Sequence, residues 1–290
     1  MPIKLDRIAL DDVGANPEQI AQAIHAQIGE RAGAVDVHEI AYALDIKEIR
    51  EAPLKTIEGA LITTAERSYG SILVNDCSSP QRRRFTVGHE LGHFLNPWHR
   101  PTSQDGFRCS RSDMSVAAVK DQNRHMRQEA EANTFSIELL APQKRVEQFL
   151  GDDADLERVL ALAIEFDISK EAAARRYIAL HQETLAVVFS KDSRFSYVVR
   201  ANGFPWLYLR KGSPMPFLPP PNGNGSLSAI EVADPEDWLE QPNVTSLTVQ
   251  TLHQQDGYAL TLLWAETADE DDLDAIDDST EPLPSFGRRS

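Results

Sequence analysis

Between Ser79 and Pro97 the chain reads SPQRRRFTVGHELGHFLNP, and this stretch constrains the fold more than any other. Ser79 is placed to cap a helix, Pro80 suits its first turn, and Asn96-Pro97 ends it, so a helix is predicted from about Pro80 to Leu95. Within it His89 and His93 stand four residues apart and share a face, where both imidazoles can reach one metal ion at the ~2.0–2.1 Å of a zinc–nitrogen bond. Glu90 lies about 100° further round the helix. That places its carboxylate beside a metal-activated water, the position of a general base. Phe85, Val87, Leu91, Phe94 and Leu95 make most of the remaining surface apolar, so the polar trio is expected to be half-buried, and buried polar groups need partners such as a metal.

A catalytic zinc takes three protein ligands and keeps one position open. Two residues compete for the third place. His99, six residues after His93, gives H-E-x-x-H-x-x-N-x-x-H, which resembles the metzincin pattern with Asn96 in the place of its turning glycine; Asn tolerates the left-handed backbone such a turn needs. A second helix, expected from about Gln122 to Leu140, carries Glu129 and Asn133 four residues apart. This pair resembles the gluzincin plan, in which a glutamate on a second helix binds zinc and a polar residue one turn later supports a ligand histidine. His125, one turn before Glu129, and Tyr69 are candidates for stabilising an oxyanion.

Linked to their flanks, these motifs resemble one family. The run ILVNDCSSPQRRRFTVGHELGHFL from Ile72 to Leu95, followed by EAEANTFSIELLAP from Glu129 to Pro142, is similar to the ImmA/IrrE zinc metallopeptidases. Arg84-Phe85-Thr86, Glu129, Ala132-Asn133, Phe135 and Leu139-Leu140 with Pro142 carry the likeness, which spans about Ile40 to Pro142. The resemblance implies His89, His93 and Glu129 as zinc ligands, Glu90 as general base and Asn133 as support. It also implies an endopeptidase that cuts a helix-turn-helix transcriptional repressor, often encoded nearby, and so relieves repression of stress-response or mobile-element genes. Glu129 follows His93 by 36 residues, a longer excursion than the family needs, so His99 retains a possible approach to zinc or substrate.

The expected fold class is α+β. A zincin-like domain over residues 1–142 is followed by a helix-turn-helix-like segment (143–184), a β-rich module (185–265) and an acidic disordered tail (266–290). In the first domain GALITTA from Gly59 and YGSILVN from Tyr69 read as a hairpin, the latter strand available to hold an extended substrate by strand addition. The segment from Trp98 to about Val119 reads as irregular. Leu156–Phe166 and Ser169–Leu180 form the paired helices, linked at Asp167-Ile168. Lys170, Arg175 and Arg176 there raise DNA contact, but docking of a protein is expected instead. Arg82, Arg83 and Arg84 are expected to be solvated or paired with acids. Alternating runs LAVVFS, FSYVVR, WLYLR and SLTVQTLHQQDGYALTLLWAE build the β module, with Asp256-Gly257 as a hairpin turn.

Charge bears on partners. With 29 Lys+Arg against 45 Asp+Glu the chain carries −16, which disfavours tracking a phosphate backbone. Nine of those acids fall between Glu266 and Glu281, where like charges repel and bury little. No apolar run approaches the ~18 residues of a membrane span, and the charged start MPIKLDRIALDD lacks an export signal. Cys77 and Cys109 are too few for a disulfide framework, so the cytoplasm is the expected compartment. Cys77 is expected to be packed, and Cys109 is a remote candidate for an inhibitory thiolate ligand.

Overall fold

The computed structural model describes residues 3–29, 31–64, 66–100, 107–109, 124–223, 226–240 and 244–267. The expectation for the tail beyond 267 and that for the Cys109 side chain lie outside the described residues. The chain divides into two units, Met1–Asp153 with Glu157–Leu180, and Ala154–Leu156 with His181–Ser290.

The first unit is mixed α and β. Three helices, α1 (Arg7–Asp11), α2 (Pro17–Ile28) and α3 (Val37–Ala43), lead into strands β1 (Ile46–Ala52), β2 (Gly59–Thr63) and β3 (Gly70–Asn75). The helix of the two histidines follows as α4 (Pro80–Leu95), then a short strand β4 (Phe107–Cys109), then α5 (Arg124–Leu140). Ser79 caps α4 as expected, its Oγ accepting from Arg82 N at 3.3 Å. The hairpin is present, β2 pairing antiparallel with β3 and Leu61 opposite Ile72. Strand β1, parallel to β3, is not among the strands expected from the sequence. It alternates poorly because Ile46 and Ile49 are three apart, and its pairing slips between Ile46 and Glu48.

The sheet order is β1-β3-β2-β4, which corrects two expectations. The stretch after Trp98 is not wholly irregular, since β4 pairs antiparallel with β2, Phe107 opposite Leu61 and Cys109 opposite Gly59. Strand β3 cannot hold a substrate by strand addition, because β1 and β2 already occupy both of its edges.

Helices α4 and α5 approach closely because Gly88 and Gly92 present no side chain. A Cβ on Gly88 would stand 2.6 Å from Ser136 Oγ, and one on Gly92 would stand 3.0 Å from Phe135 Cδ1 and 3.3 Å from Ala132 Cα. After α6 (Gln143–Leu150) come α7 (Leu156–Glu165) and α8 (Lys170–Leu180), joined as expected through Asp167 at φ 46° and Ser169, whose Oγ accepts from Ala172 N at 3.1 Å. Arg176 donates to Glu138 and to the Ala141 carbonyl, and Arg175 pairs with Glu171 at 3.0 Å. Of the arginine cluster, Arg83 pairs with Glu51 and Arg84 with Asp167. Cys77 is exposed rather than packed, because it lies in the turn beyond the end of β3.

The second unit is a five-stranded antiparallel sheet of β5 (Leu185–Lys191), β6 (Arg194–Arg200), β7 (Glu231–Ala233), β8 (Val244–His253) and β9 (Tyr258–Thr267), ordered β6-β5-β9-β8-β7. Asp256 (φ 56°) and Gly257 (φ 74°) turn β8 into β9. WLYLR is not a regular strand; it makes one isolated bridge, Leu207 to Leu239, and buries Leu207 and Leu209 beside Trp238. Among the described residues no helix is long and apolar enough to cross a membrane.

Candidate metal centre

On α4 the two imidazoles turn toward α5, and the glycine contact lets Glu129 reach both. His89 Nε2 lies 3.1 Å from His93 Nε2 and 3.2 Å from Glu129 Oε2, and His93 Nε2 lies 3.3 Å from Glu129 Oε1. A tetrahedral ion with bonds of about 2.0–2.1 Å holds its ligand atoms roughly 3.3–3.4 Å apart, and the two nitrogens and the two carboxylate oxygens make contacts of about that length, with one donor atom from each residue within 4.8 Å of the others. The residues fit a metal ion, and the two-nitrogen, one-carboxylate donor set is one of those that an open catalytic zinc uses. His89, Glu90 and His93 have no exposed surface and Glu129 only 2%.

Burial and pairing prepare the donors. Burial pushes the His93 imidazole down to about 3, the neighbouring His89 acting in the same direction and Glu129 opposing. Burial alone would raise the Glu129 carboxyl, but its close contacts with His89 and His93 outweigh it and hold the group well below the usual carboxylate range. A neutral imidazole and an ionised carboxylate are the forms that bind a cation. Asn133 stands where the gluzincin likeness put it, its Oδ1 3.0 Å from His89 Nδ1; in the tautomer that ligates a metal through Nε2, the ring donates there.

His99 is buried at the site but not among the donors. Its Nδ1 meets His93 Nδ1 at 2.9 Å and its Nε2 meets Glu131 Oε2 at 2.9 Å, so neither ring nitrogen is turned to the Nε2 and carboxylate atoms that the cluster presents. The metzincin-like turn also fails, because Asn96 has an extended backbone (φ −75°, ψ 114°) instead of a left-handed one. Arg67 had no signal in the sequence, yet its guanidinium donates to the carbonyl oxygens of His93 (2.9 Å), Phe94 (3.3 Å), Asn96 and His99. It thereby satisfies the open carbonyls at the end of α4 and fixes the turn that carries His99. Burial lowers the Arg67 guanidinium to about 10, with Arg100 and Arg7 contributing, so it remains charged at neutral pH.

Glu90 faces β2. A Cβ on Gly59 would stand 2.7 Å from Glu90 Oε1 and 2.4 Å from Thr86 Cγ2, so only glycine leaves room for that carboxylate. Phe107 of β4 stacks on His93, ring centroids 4.5 Å apart and planes at 22°. His125 reaches Glu129, Nδ1 to Oε1 3.5 Å, from a partly exposed position. Tyr69 lies just before β3 with about half its surface exposed, and no described contact joins its ring to the donors.

Residues 47–177 match the family described as the IrrE N-terminal-like domain, Peptidase M78. Among solved structures, a Mycobacterium tuberculosis transcriptional regulator is similar at 14% identity and a TM-score of 0.48, the alignment covering 95% of this chain and 95% of that one. No curated protein sequence matches the chain.

Proposed function

We propose that the chain, whose residues 47–177 match the IrrE N-terminal-like domain of Peptidase M78, is a zinc-dependent endopeptidase of the ImmA/IrrE kind acting in the cytoplasm on a helix-turn-helix repressor. The observation that carries the reading is the buried His89–His93–Glu129 cluster, with Glu90 next to His89 in the chain and equally buried. A zinc ion held by the three would supply a Lewis acid and lower the pKa of water to about 7. Glu90 takes the proton of the attacking water and returns it to the leaving amine. Asn133 keeps the His89 ring in the ligating tautomer. His125 is assigned to the substrate carbonyl oxygen as it gains charge.

Two features support a protein rather than DNA as the partner. The chain is acidic, which suits a substrate that is basic because it binds DNA. Arg175 and Arg176 of α8 are engaged with Glu171 and Glu138. Incubating zinc-loaded protein with a neighbouring helix-turn-helix repressor, and mapping products by mass, tests the proposal. Glu90→Gln is expected to keep about one zinc and to lose cleavage by at least ~10²-fold, the scale of a general base. Full activity in that variant overturns the mechanism.

A further inference from the structure

The far side of His93 carries a second set of contacts, whose meaning rests on His89, His93 and Glu129 forming a metal centre. His93 Nδ1 faces His99 Nδ1, His99 Nε2 faces Glu131 Oε2, each at 2.9 Å, and Glu131 Oε1 accepts from Arg127 Nε at 2.8 Å. His99 is 1% exposed, and Arg67 pins its backbone carbonyl together with that of His93. Asn96 Nδ2 donates to Ala15 O at 3.0 Å and reaches Glu131 Oε2 at 3.4 Å, which holds the carboxylate in place.

One order of protons satisfies this line. A histidine that ligates through Nε2 carries its hydrogen on Nδ1, so the facing His99 Nδ1 must accept. His99 then bears its own hydrogen on Nε2 and donates it to Glu131. Each donor in the line meets an acceptor, and the line ends on an ionised carboxylate. By contrast His89 leans on the neutral amide oxygen of Asn133. Carboxylate support raises the basicity of a ligand imidazole more than a neutral acceptor does.

We propose that His99 and Glu131 are positioning residues that fix the tautomer and orientation of His93 and strengthen its Nε2 as a metal donor, making His93 the better supported of the two ligand histidines. The same two residues explain why the motif carries a third histidine that contributes no donor atom to the cluster.

The test measures zinc affinity by chelator competition, and the visible spectrum of the cobalt(II) form, for the full-length protein and three variants. His99→Leu removes both the acceptor and the donor; His99→Gln can keep both, through its carbonyl oxygen and amide; Glu131→Gln removes only the charge. Expected are a loss of about 10–100-fold in zinc affinity with shifted cobalt bands for His99→Leu, substantial rescue by His99→Gln, and about a tenfold loss for Glu131→Gln. Thermal midpoints of the metal-free proteins show whether each variant is folded. Affinity for His99→Leu within about twofold of the parent, with an unchanged cobalt spectrum, overturns the proposal. So do equal losses in the leucine and glutamine variants that track lowered metal-free midpoints. A parent protein that binds no zinc is a different result and overturns the metal-centre reading itself.

Discussion

His93 is held neutral by burial and Glu129 ionised by its histidine partners, and these states have a consequence for stability as well as for metal binding. His25, hydrogen-bonded to the Leu139 carbonyl at 2.9 Å, and His99 are also lowered, each chiefly by burial, His99 to about 4. The folded values lie below the 6.5 of an unfolded histidine. Above that pH neither state is protonated and the histidines contribute nothing; below it the unfolded chain takes up protons that the folded chain refuses. The metal-free protein is therefore expected to lose stability between pH 7 and about 5, a window in which exposed carboxylates stay ionised. Thermal unfolding across that range checks this, and a midpoint that is flat or rises on acidification contradicts it. Legibility in the sequence is uneven among these residues. His89, Glu90 and His93 could be placed from helical spacing because four residues fix a shared face, whereas His99 could not. Its six-residue separation crosses the end of α4, and its direction depends on the extended backbone of Asn96 and on Arg67 from a distant turn.

Helices α4 and α5 build the centre only because they lie close together. Gly88 and Gly92 meet Ser136, Phe135 and Ala132, and this contact brings Glu129 to the two histidines. Gly88→Val is expected to cost about 1–3 kcal/mol by overpacking. Zinc affinity should fall further than stability, because α5 must move away from α4 while the rest of the helix can still pack. Calorimetry with chelator competition separates the two effects; unchanged affinity in a destabilised variant would show that the close approach does not set the donor geometry. Both helices, the β2–β3 hairpin and the α7–α8 turn were readable because caps, Pro and Gly punctuate them locally. Strands β1 and β4 were not. The first has irregular alternation, and the second is three residues whose pairing with β2 is a long-range contact. The role expected for β3 failed for the same reason, since strand order is not encoded in any one strand.

At the level of the chain, a metal held at His89, His93 and Glu129 would be linked to the fold of one unit. A zinc present at 1,000 times its dissociation constant stabilises the binding-competent fold by about 4 kcal/mol. Amide hydrogen exchange is expected to slow along α4 and α5 when zinc is added and to remain unchanged in β5–β9, where the described residues place no group of potential metal donors. Equal protection of both units, or of neither, would contradict a site confined to the first. The α+β class, the capped helix with its histidine pair, the second helix with Glu129 and Asn133, and the β-rich second half were all present in local spacing and capping, which act over a few residues. That Glu131 stands behind His99, that β4 lies beside Gly59, and how near α5 comes to α4 required the folded chain. These are contacts between positions 30 to 50 apart in sequence, made by closing loops, and no local period records them.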